Sequence, residues 1–138
     1  MIITLAYLAL QIKQNTKATK ASTAQQMTDK WVSINLHLAQ DAKVAVYDLK
    51  RLDPYSKELQ EGLALWRALL HQWSNNHYQY SQGVLEEALF TPTEREIAAH
   101  AIHPGSGPNF RFAWESEQHI YNDGFRKFVT RLLTENPI

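Results

Sequence analysis

The sequence predicts an all-α fold: a helical bundle with a long N-terminal helix and an aromatic-rich central helix. Three observations carry this. The first Pro is Pro54 and the first Gly is Gly62, so fifty-three residues pass without either breaker. Val, Ile and Thr are scattered, and no segment alternates at period two as a half-buried strand does. Apolar residues recur instead at spacings of three and four, which puts them on one side of a helix.

The first helix is expected over about 2–39, in two unlike halves. Ile2, Ile3, Leu5, Ala6, Tyr7, Leu8, Ala9, Leu10 and Ile12 leave no polar face, so that end belongs against protein, a partner or lipid. Further on, Ala24, Met27, Trp31, Ile34 and Leu38 form a stripe that docks on a core. Asp41 is placed to cap a short helix over about 42–50, with Val44 and Tyr47 inward, before Leu52-Asp53-Pro54 turns the chain. Leu59, Leu63, Trp66, Leu70, Trp73, His77, Tyr80 and Val84 then alternate by four and three, widened by Leu65 and Leu69 and stopped by Gly83. This is the central helix. Thr91-Pro92-Thr93-Glu94 reads as a capping box with Pro at the first helical position, opening a helix to about Ile102. Residues 104–109 read as a Pro/Gly loop. Asn109 starts the next helix, through Phe110 and Trp114 to about Tyr121. Asn122-Asp123-Gly124 breaks it, and Phe125, Phe128, Leu132 and Leu133 mark a last amphipathic helix.

At 138 residues the chain is expected to form a single domain, 1–138, large enough for a real core. Fourteen Lys and Arg balance fourteen Asp and Glu, which argues against a general nucleic-acid binder. The absence of Cys excludes disulfides, thiolate chemistry and Cys-ligated metal, and fits a reducing compartment.

The apolar start is the most informative segment. Met1 to Ile12 as helix extends for about 18 Å, short of a hydrocarbon core of about 30 Å. Lys13, Lys17 and Lys20 follow on one helix face before any acid appears. Cations beside an apolar helix match the anionic inner face of a membrane. A buried helix end with a solvated polar face is the alternative. Without lipid, a second copy is the nearest apolar surface. The expected complex is then a homodimer with Leu5, Leu8 and Ile12 near its axis.

Leu5-Ala6-Tyr7-Leu8-Ala9-Leu10-Gln11-Ile12-Lys13-Gln14-Asn15-Thr16-Lys17-Ala18, with Ala21-Ser22-Thr23 after it, resembles a family of short uncharacterised bacterial proteins. In these, an N-terminal membrane helix runs into a Gln-Ile-Arg-Gln-Asn-Thr-like segment and an all-helical domain. Phe125-Arg126-Lys127-Phe128-Val129 resembles their Phe-Arg-x-Phe-Val-like end. The apolar lead is about half a span here, and Ala42 stands where relatives tend to have Pro. The resemblance implies an all-α fold and membrane proximity, and no catalytic residues.

Other chemistry is sparse. Trp66, Trp73, His77 and Tyr80 are candidates for an aromatic ligand pocket, against the plainer reading of a packed core with a hydrogen-bonded His. His37 with Asp41, His100 with His103, and Glu96 with His100 have one-turn spacing, but no Glu-x-x-His motif accompanies them, and no metal or cofactor is expected. Gly105-Ser106-Gly107 offers amides to an anion, with Arg111 nearby, although a mobile surface loop is the plainer reading. No nucleotide-binding loop, nucleophile elbow or triad spacing is present. The expected function is a cytoplasmic, non-enzymatic interaction module, associating with itself or with a partner at the inner membrane surface. A small-molecule-binding bundle is the alternative.

Overall fold

The computed structural model describes the backbone of residues 2–40 and 47–138, with the side chains of 3–30, 32–34 and 47–138. Five helices follow in order: α1 (Ile2–Gln40), α2 (Lys57–Ser81), α3 (Glu87–Ile102), α4 (Gly107–Glu117) and α5 (Asp123–Glu135). Single 3-10 turns at Leu49–Arg51 and Gln118–Ile120 complete the regular structure, and no strand occurs among the described residues. The all-α prediction therefore holds.

α1 runs as one helix of 39 residues, close to the predicted extent. Ala24, Met27 and Ile34 of its stripe are half-buried. Trp31 and Leu38 lie outside the described side chains. So do Asp41 and Val44, and with them most of the short helix expected over 42–50. The part of that segment that is described is the 3-10 turn, held by Asn109. Its Oδ1 accepts from the Leu49 N–H at 3.0 Å, and its Nδ2 donates to the Tyr47 carbonyl at 2.6 Å.

α2 begins where the Ser56 hydroxyl accepts from the Leu59 N–H at 3.2 Å, an N-cap that satisfies an orphan donor. Leu59, Trp66, Leu69, Leu70 and Trp73 are buried, as the spacing requires, whereas Leu63 of the predicted line is half-buried. His77 and Val84 are also half-buried and Tyr80 is exposed, because the line runs out past the core at its C-terminal end. Gly83 adopts φ +73°, open to glycine at little cost. The Val84 N–H then reaches back to the Gln79 carbonyl and the Gly83 N–H to that of Tyr80, which closes the helix end.

α3 corrects the sequence reading. It starts at Glu87, with Glu86 at the N-cap, and Pro92 lies inside it. The predicted capping box does not form because each member is engaged elsewhere. Thr91 Oγ1 donates to the Glu87 carbonyl, Thr93 Oγ1 accepts from Asn76 Nδ2 at 3.1 Å, and Glu94 faces Arg131 at 3.8 Å. Pro inside a helix costs about 3 kcal/mol. Burying Leu85 and Phe90, at about 1.5–3 kcal/mol each, offsets it.

The loop expected at 104–109 is also shorter than predicted. α4 begins at Gly107, Pro108 fits its first turn, and Gly107 and Asn109 are buried. α4 stops at Glu117, four residues short of the predicted Tyr121, and a 3-10 turn follows. Asn122 caps α5 by accepting from the Phe125 N–H at 2.9 Å. Phe125, Val129 and Leu132 join Trp66, Leu70, Trp73, Ile97, Phe110 and Trp114 in one core cluster, with Leu49 at its edge.

Candidate functional site

α1 runs antiparallel to α2. Its Lys30, Ser33 and Ile34 lie beside Ala68, His71 and Gln72, in mid-α2. Its Lys13 to Ala24 stretch lies beside Val84, Glu86 and Leu89, at the α2–α3 turn. Residues 3–12 therefore extend past the end of the bundle by about 15 Å at 1.5 Å per residue. All ten are exposed. The large apolar ones range from 47% exposed at Leu8 to 85% at Ile3, with Leu5 and Ile12 near two thirds. At 100° per residue they point around most of the circle, and only the narrow line of Thr4 and Gln11 is polar. Gln11 Nε2 donates to Tyr7 Oη at 2.9 Å, and the Thr16 hydroxyl donates to the Ile12 carbonyl.

Directly after the apolar stretch, Lys13, Lys17 and Lys20 line an open groove of about 640 Å³. Thr16, Ala21 and Ala24 complete the α1 wall, and Val84, Glu86 and Leu89 form the other. None of the three lysines has an ion-pair partner among the described residues. The sequence placed the lysines on one helix face. Their opposing wall comes from residues far away in the chain and had no local signal.

The aromatic candidates divide into two groups. Trp66 stacks on Phe110 with centroids 5.3 Å apart and meets His100 edge-on at 5.5 Å. Trp73 is fully buried, packs edge-on to Phe110 at 5.6 Å, and donates Nε1–H to Glu96 Oε2 at 3.0 Å. His77 and Tyr80 sit farther along α2 on a different cluster. His77 packs on Phe128 at 4.9 Å, Phe125 at 5.8 Å and Phe90 at 6.0 Å, and Tyr80 stacks on Phe90 at 4.3 Å. Burial lowers the His77 pKa below the usual histidine range. The hydrogen bond to a neighbouring helix expected for a core His does not appear among the described residues. Both clusters are filled by neighbouring rings.

Around the α3–α4 turn, polar groups satisfy one another. His103 Nδ1 accepts from the N–H groups of Gly105 at 3.0 Å and Ser106 at 3.1 Å, and the Gly107 N–H bonds the His103 carbonyl. The amides considered for an anion are thus occupied. Arg111 is engaged by other partners and donates to the carbonyls of Ala101, Leu133 and Asn136. His100 Nδ1 lies 3.2 Å from Ser106 Oγ and its Nε2 3.8 Å from Glu96. No group of three His, Asp or Glu side chains converges among the described residues. His37 and Asp41 lie outside them. Between α2 and the end of α4, Arg67 pairs with Glu117 beside the buried Tyr121 hydroxyl, whose pKa rises through desolvation and the Glu117 charge. Sequence reasoning did not find this pair, because its members are 50 positions apart.

No helix among the described residues is long and apolar enough to cross a membrane. No family model matches the chain, and no significant similarity links it to a curated protein or a solved structure.

Proposed function

We propose that the chain is a non-enzymatic helical interaction module that docks through the protruding start of α1, at the inner face of a membrane. One observation carries this reading: residues 3–12 are all exposed, and eight of the ten are apolar and point around most of the helix. Exposed apolar patches beyond roughly 300–600 Å² are uncommon on soluble monomers and mark interaction surfaces. A protein partner covers one stripe of a helix, whereas lipid covers all of them. The lysines that follow, at the level where the helix meets the bundle, suit an interface with anionic headgroups. Filled aromatic clusters around Trp66, Trp73, His77 and Tyr80 weigh against the small-molecule alternative.

A second reading, homodimerisation, draws on the alignment of Leu5, Leu8 and Ile12 along one side of the exposed segment. The same material tests both. The full chain should float with lipid vesicles, and Leu5→Glu with Leu8→Glu should abolish flotation. Without lipid, sedimentation velocity reports the dimer, which added salt should barely weaken because apolar burial holds it. A full chain that neither floats nor associates at high concentration overturns the proposal.

A further inference from the structure

We propose that the groove between α1 and the α2–α3 turn seats the phosphate headgroup of an anionic phospholipid. This rests on the membrane-docking reading and adds a lipid preference and a place for it. Lys13, Lys17 and Lys20 give the groove three cations against the single carboxylate of Glu86. The lysines are spaced four and three apart, so they share one face of α1 and line one wall of the groove. Apart from Thr16, the remaining lining is apolar: Ala21, Ala24 and Val84, with Leu89 exposed at the rim. A cationic wall over an apolar floor complements an amphiphilic anion and is mismatched to a small inorganic one.

Position selects the source of that anion. The groove lies at the end of the bundle from which the apolar stretch of α1 emerges, and Lys13 follows Ile12 directly. A bilayer that covers Ile3 to Ile12 therefore brings its headgroup layer to Lys13 and the groove. An acidic peptide fits the charge and has no use for the adjoining apolar helix. Exposed lysines near an anionic surface contribute about 1 kcal/mol each, so three together give a preference of roughly 150-fold at most.

The full chain should be titrated with vesicles of pure phosphatidylcholine and with vesicles containing phosphatidylglycerol. Phosphatidylglycerol should tighten binding by at least about tenfold. Lys13→Gln, Lys17→Gln and Lys20→Gln together should remove most of that gain while leaving binding to phosphatidylcholine in place. Ala21→Trp, which fills the groove without changing charge, should also narrow the ratio between the two lipids. Equal binding to both vesicles overturns the headgroup site and leaves membrane docking standing. Binding to neither overturns both. A ratio unmoved by Ala21→Trp makes the lysines a diffuse surface charge and removes the groove from the account. Release from the vesicles by millimolar inorganic phosphate, or by an acidic peptide, would assign the site to those anions instead.

Discussion

Trp73 shows how one side chain commits two helices. Its ring is fully buried against Phe110 of α4, and its indole N–H is held by Glu96 of α3. Truncating a buried Trp costs about 3–5 kcal/mol, a large share of a stability of about 5–15. Trp73→Ala should accordingly lower the urea midpoint steeply, and a loss under about 1 kcal/mol would remove Trp73 from the core. His77 carries a different signal. Its pKa is lowered by burial, so between that value and the ordinary value of about 6.5 the unfolded chain binds more protons than the folded one. Stability therefore falls as pH drops through that window, and levels once the folded form is also protonated. In His77→Gln the urea midpoint should decline less from about pH 7 to about pH 5 than in the parent. Parallel profiles would mean that another group titrates.

Among the elements, α3 gives the sharpest test. With its start at Glu87, Pro92 lies in the second turn and lacks the N–H that would reach the Ala88 carbonyl. Pro92→Ala should restore that bond and raise stability by about 1 kcal/mol or more. Were the helix to start at Pro92, the same change would be neutral or unfavourable, since Pro suits the first position. Equilibrium denaturation distinguishes the two. α4 gives a test of opposite sign. Gly→Ala in a helix usually stabilises by about 0.5–1 kcal/mol. At Gly107, however, a Cβ would stand 2.8 Å from the Ala101 carbonyl oxygen, a backbone atom that has no rotamer to escape into. Gly107→Ala should instead destabilise by about 1–3 kcal/mol, read as a lower thermal midpoint. A raised midpoint would show that the α3–α4 corner is looser than described.

At the scale of the molecule, stability and docking reside in different places. One apolar cluster joins α2 to α5, with Leu49 tucked at its edge and Ile34 of α1 packed against it. Two polar ties reinforce the bundle away from that core: Arg67 to Glu117, and Arg111 across the carbonyl ends of α3 and α5. The first ten described side chains of α1 belong to neither. Leu5→Glu with Leu8→Glu should therefore leave the unfolding free energy within about 0.5 kcal/mol of the parent, even as association disappears. A clear loss of stability would mean that this segment packs on the bundle.

Local sequence pattern accounts for the helical class, the extent of α1, the buried start and middle of the α2 line, the stop at Gly83 and the break before α5 at Asn122. These are local properties. A period of 3.6 residues, a glycine at positive φ and a side-chain cap are each settled within a turn or two of chain. The lysine row beside an apolar helix was legible for the same reason. Tertiary structure decided the rest. Phe90 drew α3 upstream past a proline by stacking on Tyr80, and Thr91, the predicted cap, instead donates to the Glu87 carbonyl inside the helix. Asn109 was read as a helix start and instead ties down a turn 60 residues away. Trp66, Trp73, His77 and Tyr80 share one line on α2 but meet different partners, because α3, α4 and α5 approach that line at different heights. The wall facing Lys13, Lys17 and Lys20 comes from Val84, Glu86 and Leu89. Contacts between residues so distant in the chain are selected by the free energy of burying their faces together, and no local pattern encodes which faces will meet.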